Sequence, residues 1–323
     1  MTTVLILGPV PPPPCWRTQF VFDDILFTND PAATRYDWVV VYNEVPRASH
    51  ERFPLACAPE HTILATSEPP SIKTYTRAFT RQFGYVLTTH PAALLHHPAA
   101  RPSLGAFEWF YNRGASPVAL MDAPMPEKTE LISTVCSAKR QRHTEHWRRH
   151  AFVERLSAEM PELAWFGHGV RALDSKADAL DPYKYHVAIE NYFGPGHWTE
   201  KLSDAFLGGC LPLYAGDPTI GEIFPEESFV ALDLADFDRA VATVRETIAS
   251  GAYERRRSAV AKARELVLTR YNLPARVAAL VAENRPATPH PVKPGFLLGR
   301  HALRATLPGA LSELRKFICL RRG

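Results

Sequence analysis

The sequence lacks any long apolar run: nowhere do about 18 apolar residues follow one another unbroken, so nothing reads as a membrane-spanning helix. Cysteine is scarce and scattered. Cys15, Cys57, Cys136, Cys210 and Cys319 are odd in number and share no C-x-x-C spacing, which argues against a zinc site and against a disulfide framework, and for a reducing compartment. The short apolar run in MTTVLILGPVPPPP has no basic residue before it, so it does not read as a signal peptide. Neither sign of charge dominates. A net +3 over 323 residues, with 46% hydrophobic and 22% charged side chains, is the composition of an ordinary soluble globular protein. No internal repeat is visible, and the Pro-rich stretches 11–14 and 285–294 read as loop and linker.

What is present is alternation. Short apolar runs, several of them β-branched, predict strands at 4–7, 38–42, 62–66, 85–88, 131–136, 163–166, 186–189, 211–214 and 229–232. Helical patterns lie between them at 71–82, 144–159, 200–207, 237–249 and 252–267. This order predicts an α/β protein with parallel sheets covered by helices on both faces. The length is large for one core, and the stretch 121–128, with its Asp-Ala-Pro-Met-Pro-Glu-Lys, reads as a linker. Two domains are therefore expected, 1–120 and 129–285, followed by a tail at 286–323.

That tail holds the charge. From Ala287 onward Lys293, Arg300, Arg304, Arg315, Lys316, Arg321 and Arg322 stand against Glu313 alone, a local +6 that leaves the remainder at −3. Residues 296–323 predict two short amphipathic helices broken at Pro308, with Phe296, Leu297, Leu303, Leu307, Leu311, Leu314, Phe317 and Ile318 as apolar surface. Such a segment suits the anionic face of an inner membrane. It equally suits a helix pair packed on the protein itself. Nucleic acid is not an expected partner, because the tail carries no recognised binding motif and the body is not basic.

The most informative stretch is YKYHVAIENYFGPGHWTEK, residues 183–201. An apolar strand ends in Glu190-Asn191 and a helix opens at Thr199-Glu200-Lys201, so polar groups gather at one strand-to-helix crevice. The first turn of a helix has unpaired N–H groups and the positive end of the peptide dipole, and Lys201 adds a full charge: an anion such as a diphosphate fits there. Gly194, Pro195 and Gly196 let the loop turn. Thr199 is a candidate N-cap, while Glu200 and Asn191 can bond sugar or ribose hydroxyls.

The run Tyr183-Lys-Tyr, Glu190-Asn191, Thr199-Glu-Lys, Leu211-Pro-Leu-Tyr-Ala-Gly-Asp-Pro and Ser228-Phe-Val-Ala-Leu-Asp resembles the donor-binding half of the family 10 glycosyltransferases, the α-1,3/4-fucosyltransferases. The resemblance is strongest over 130–235 and weaker at 65–70 and 107–111. It implies the GT-B arrangement: two Rossmann-like domains facing across a cleft, with the donor on the C-terminal side and the acceptor largely on the N-terminal side. Ligands at strand C-termini are also what open α/β sheets favour physically. Animal relatives carry a membrane anchor; its lack here implies a bacterial-type enzyme of the cytoplasm, at most peripheral at the inner membrane.

Further site residues follow from that resemblance. In the family an arginine three residues before an aromatic and seven before a leucine grips the donor diphosphate, and Arg149, Phe152 and Leu156 reproduce the spacing. A planar guanidinium suits the task because it can hold two phosphate oxygens at once. Glu190, Asn191, His197, Thr199, Glu200 and Lys201 are the remaining expected donor-binding residues. His197 stands where bacterial relatives often have tyrosine, a departure that bears on the sugar more than on the nucleotide. Glu68, after Ser67 at the end of a strand, matches the family's proposed general base; its alternative role is to cap the turn at 71–73. Glu108, Trp109 and Tyr111 are candidate acceptor contacts.

No metal and no cofactor are expected. His143, His146 and His150 read as one polar helix face, and Asp236-Phe237-Asp238, which mimics a metal-binding D-x-D, reads as a helix cap. The implied activity is inverting, metal-independent transfer of L-fucose from GDP-fucose to a hydroxyl of a bacterial surface glycan, such as lipopolysaccharide, or of its lipid-linked precursor. Two alternatives stand beside it: a glycosyltransferase using another nucleotide sugar, and a nucleotide-sugar-binding protein that has lost catalysis.

Overall fold

A computed structural model describes residues 1–8, 14–16, 19–45, 52–103, 107–138, 146–284 and 295–304. The chain divides into two units, 1–105 with 274–323, and 106–273.

The first unit opens with β1 (Thr2–Leu7), β2 (Phe20–Phe22), β3 (Ile25–Thr28), β4 (Trp38–Tyr42), β5 (Phe53–Leu55) and β6 (Thr62–Ala65), then α1 (Arg77–Thr80), β7 (Tyr85–Thr88) and β8 (Ala100–Pro102). Seven of these strands make one sheet in the order β2-β3-β1-β4-β6-β7-β8. All neighbours are parallel except β2 and β3, joined by a two-residue turn with Asp23 and Asp24 at φ 45 and 60°. β4, Trp-Val-Val-Val-Tyr, is buried at every residue, as a strand covered on both faces must be. Leu5, Val39, Val41, Leu64 and Val86 pack there with Tyr75, Phe79 and Phe83. The helix expected over 71–82 is one turn only, capped by the Thr76 hydroxyl accepting from the Phe79 N–H; Pro69 and Pro70 start the preceding stretch as a turn in which the Pro69 carbonyl accepts from the Ile72 and Lys73 N–H groups.

The second unit runs α2 (Pro117–Met121), β9 (Glu130–Val135), α3 (His146–Glu159), β10 (Leu163–Phe166), β11 (Tyr183–Ile189), α4 (Glu200–Leu207), β12 (Leu211–Ala215), β13 (Val230–Ala231), α5 (Phe237–Ala249) and α6 (Ala252–Thr269). Its five-stranded sheet is fully parallel, ordered β10-β9-β11-β12-β13. The α/β class with two parallel-sheet, Rossmann-like units is therefore as expected. The division falls elsewhere than the stretch 121–128, however, because residues 107–128 are tied into the second unit. Arg264 donates to the carbonyls of Leu120 (3.0 Å) and Ala123 (3.1 Å), and Lys128 donates to those of Leu180 and Asp181, both at 2.9 Å. A lysine read as linker thus closes buried carbonyls.

From Pro274 the chain rejoins the first unit, with α7 (Leu273–Glu283), β14 (Gly295–Leu297) and α8 (Arg300–Arg304). β14 pairs antiparallel with β5, and Leu297 is fully buried in the first unit's core, with Leu303 packed against it. Gln82 exchanges two hydrogen bonds with the Leu298 backbone (2.9 and 2.8 Å), and Arg300 pairs with Glu44 at 2.8 Å. Over residues 295–304 the tail is a strand and a short helix packed on the protein, in place of the amphipathic helix expected from Phe296: Leu297 is buried in the core and the Arg52 guanidinium lies 4.4 Å from the centre of the Phe296 ring. Residues 305–323 of the expected membrane segment lie outside the described residues. Among the described residues no helix is long and apolar enough to cross a membrane.

Candidate functional site

β11 carries the second unit's site to the carboxyl edge of its sheet. The ladder continues one residue past the strand, where the Glu190 N–H meets the Ala215 carbonyl at 2.8 Å, and the chain then turns away. Gly196, at φ +71°, takes the left-handed bend, and Trp198 anchors the far side of the loop, fully buried with its ring edge-on to Phe224. The chain re-enters as α4 directly beneath Glu190. Thr199 caps this helix, and Glu190 accepts from both its N–H (2.8 Å) and its hydroxyl (2.6 Å). Gly216 is needed here too: a Cβ on it would stand 2.5 Å from the Glu190 Cγ.

Around this anchor stand the charges. The Lys201 ammonium lies 3.1 Å from a Glu200 oxygen, 3.5 Å from Glu190 and 3.1 Å from the Thr199 hydroxyl. From α3, Arg149 reaches the same place, its Nη1 donating to the Asn191 side-chain oxygen at 2.8 Å. The guanidinium is buried, packed beside the Cys136 thiol, and its Nε has no hydrogen-bond partner among the described residues. Phe152 and Leu156, the spacing markers for Arg149, are fully buried one and two turns on, which fixes the face of α3 that carries the arginine inward. Two cations from separate segments therefore meet over one strand end.

The titration of the cluster follows from its packing. Burial would raise the Glu200 carboxyl, yet Lys201 and Lys176 outweigh it and hold it down at about 2. Burial dominates at Glu190, which is raised despite Lys201. The Lys201 ammonium is raised: burial disfavours its charge, but Glu200 and Glu190 more than offset that.

The other expected site residues lie as follows. Glu190 is wholly buried with both oxygens engaged by Thr199, so it anchors the cap and Lys201 instead of presenting a carboxylate to a ligand. Thr199 is likewise committed to Glu190. His197 is buried with its ring edge-on to Tyr192, a packing position. Trp109 and Tyr111 belong to the second unit's interior: the indole N–H donates to the Ala115 carbonyl at 3.3 Å and the phenol to Asp181 at 2.8 Å, which leaves neither ring a face for a sugar. Glu108 beside them is half-buried. Asp236 caps α5 by accepting from the Arg239 N–H, as read from the sequence. His150 is buried against Trp165, and His143 lies outside the described residues.

Sequence reasoning missed Lys176 and Asp204. Asp204, buried on α4, accepts the Phe110 and Tyr111 N–H groups, both at 2.9 Å, and pairs with Lys176 at 2.6 Å; Lys176 stands 3.9 Å from Glu200. Position 204, four after Glu200, was the one available signal, since i,i+4 residues share a helix face. A cavity of about 840 Å³ opens beyond β12 and β13, lined in part by Phe193, Tyr214, Asp217, Phe229 and Arg256.

In the first unit, Glu68 is exposed just past β6, at the carboxyl edge of that sheet, and its own carbonyl accepts from His90 Nε2 at 2.9 Å.

A fully parallel α/β unit that gathers Arg149, Lys201 and a capped helix start at one strand end suits an anionic ligand. Residues 125–248 match the family model "Glycosyltransferase family 10 (fucosyltransferase) C-term". An α-(1,3)-fucosyltransferase of Helicobacter pylori is 33% identical over 99 residues, 29% of this chain and 20% of that protein. A putative fucosyltransferase of Acanthamoeba polyphaga mimivirus is 40% identical over 47 residues, 15% of this chain and 8% of that one. The chain thus spans a fifth or less of the curated relatives' length. Among solved structures, an α1,3-fucosyltransferase is 16% identical with a TM-score of 0.49, covering 80% of each chain, and its complex with GDP-fucose gives 0.46 over 80% of this chain and 82% of that one.

Proposed function

We propose that the protein is an inverting fucosyltransferase that moves L-fucose from GDP-fucose to a glycan hydroxyl. The observation that carries this reading is the meeting of Arg149 and Lys201 over Asn191. Departure of GDP concentrates negative charge on the diphosphate, and preformed cations in a partly buried site stabilise such charge strongly. Arg149, with donor capacity left over, takes phosphate oxygens. Lys201 exchanges part of its pairing with Glu200 for the ligand, and Glu200 turns to a ribose or sugar hydroxyl. Glu68 removes the proton of the acceptor hydroxyl as that oxygen attacks the anomeric carbon opposite the leaving GDP. With the diphosphate charge met by side chains, no divalent cation is required, and chelator leaves turnover unchanged. The acceptor is a surface glycan or its lipid-linked precursor; co-sedimentation of the full chain with anionic vesicles tests for contact with a membrane face.

The test is titration with GDP. Losing one partner of a buried charge pair costs about 2–5 kcal/mol, so Arg149→Ala and Lys201→Ala each weaken GDP binding by roughly 30-fold or more. Wild-type affinity in either variant sinks the site assignment. Release of GDP from GDP-fucose identifies the donor; release only from another nucleotide sugar replaces fucose and leaves the site standing.

A further inference from the structure

Asn43 follows β4 with φ +63°, in the left-handed region where a non-glycine residue is strained. Glycine meets that backbone demand without strain, so the side chain has to be the reason for asparagine. It is fully used. Its Oδ1 accepts from the Ser67 N–H at 2.9 Å and from the Tyr75 hydroxyl at 3.0 Å, and its Nδ2 donates to the Ser67 hydroxyl at 2.6 Å. Its own N–H donates to the Ala65 carbonyl at 2.8 Å, which sets it in register with the last residue of β6.

Two of these bonds, to the Ser67 N–H and hydroxyl, hold the residue before Glu68. On the other side, the Glu68 carbonyl is taken by His90 Nε2, which makes that nitrogen the protonated one. His90 is itself fixed, its N–H donating to the Thr88 hydroxyl at 3.0 Å, and Thr88 is joined to Thr66 at 2.7 Å. Pro69 adds a third restraint, because a residue before proline is barred from helical backbone angles. The peptide groups on both sides of Glu68 are thereby held, and only its side-chain torsions remain free at the open edge of the sheet.

We infer that Asn43 is a positioning residue for Glu68: through Ser67 it fixes the backbone from which the carboxylate reaches the acceptor hydroxyl. This rests on the reading of Glu68 as the base. A general base works only within hydrogen-bond reach of its proton, and displacement by about 1 Å can cost on the order of 100-fold in rate.

The test uses Asn43→Gly, which keeps the left-handed backbone and removes only the side-chain clamp, in the full chain. GDP release from GDP-fucose is followed with water and with oligosaccharides as acceptors, beside Glu68→Gln, Ser67→Ala and Tyr75→Phe. Expected is a fall of at least tenfold in kcat for Asn43→Gly, with KM for GDP-fucose, GDP affinity and Tm near wild type. Ser67→Ala, which retains the Ser67 N–H bond, loses less. A residue that served stability alone would move Tm and leave kcat of the folded fraction intact, and that result overturns the inference. So does wild-type kcat in Asn43→Gly while Glu68→Gln is inactive, which leaves the base in place and removes only Asn43. Full activity of Glu68→Gln, or no GDP release by the wild type, overturns the underlying reading and the inference with it. Should Asn43→Gly fail to fold, Ser67→Ala decides: it removes the bond from Asn43 Nδ2 to the Ser67 hydroxyl, and an unchanged kcat there rejects the clamp.

Discussion

Glu200 and Lys201 neutralise each other while no ligand is present, and this pairing leaves a pH signature. The folded Glu200 carboxyl sits at about 2 against 4.5 when unperturbed. A depressed carboxyl contributes stability above its unfolded value and loses it as pH falls toward its folded one. The Tm difference between wild type and Glu200→Gln is therefore widest above about pH 4.5 and closes between 4.5 and 2. Thermal unfolding across that range checks this; a difference independent of pH would place the effect of Glu200 in packing instead of charge. Glu190, which shares Lys201 with it, behaves oppositely because burial prevails there. Identical side chains ten residues apart thus hold different protonation tendencies, and whether each faces inward is not written in residue type. For that reason the inward face of Arg149 was legible and the burial of Glu190 was not: Phe152 and Leu156 mark the arginine's face by helical spacing, while nothing beside Glu190 announces that Thr199 returns to it.

The strand-to-helix unit of β11 and α4 stands on Thr199. Thr199→Val keeps the shape but removes the hydroxyl, leaving a buried carboxylate oxygen short of a donor and the helix without its cap. A loss of about 2 kcal/mol is expected, with Thr199→Ser near wild type, measured by urea unfolding. Elements with local signals were readable from sequence. Glu200–Leu207 and Phe237–Ala249 follow their caps and spacing, and Trp38–Tyr42 follows its β-branched run. Elements whose partner is distant in sequence were not. β5 contains Pro54 and pairs with β14 some 240 residues away. The β2–β3 hairpin turns on two aspartates, a weaker cue than Asn-Gly. Trp109 and Tyr111 show the same limit at the site, since an aromatic run signals core and carbohydrate contact equally well.

Across the molecule each unit has its own sheet and its own buried core. Heat-driven unfolding is expected in two transitions, and GDP raises the one that belongs to residues 106–273. Ligand at 100 times its Kd adds about 2.7 kcal/mol to the form that binds it. Calorimetry with and without GDP makes the check, with tryptophan emission from the buried Trp198 to assign the transition; an equal shift of both would mean that the ligand is not held by the second unit alone.

The seam between β5 and β14 orders events during synthesis. The first unit emerges from the ribosome early, yet Leu297 fills its core, Leu298 bonds Gln82 and Arg300 pairs with Glu44. The nascent front half must wait, partly open, until those late residues arrive, whereas residues 106–273 can close as one continuous stretch. Of the two units, the one begun earlier is the one closed later.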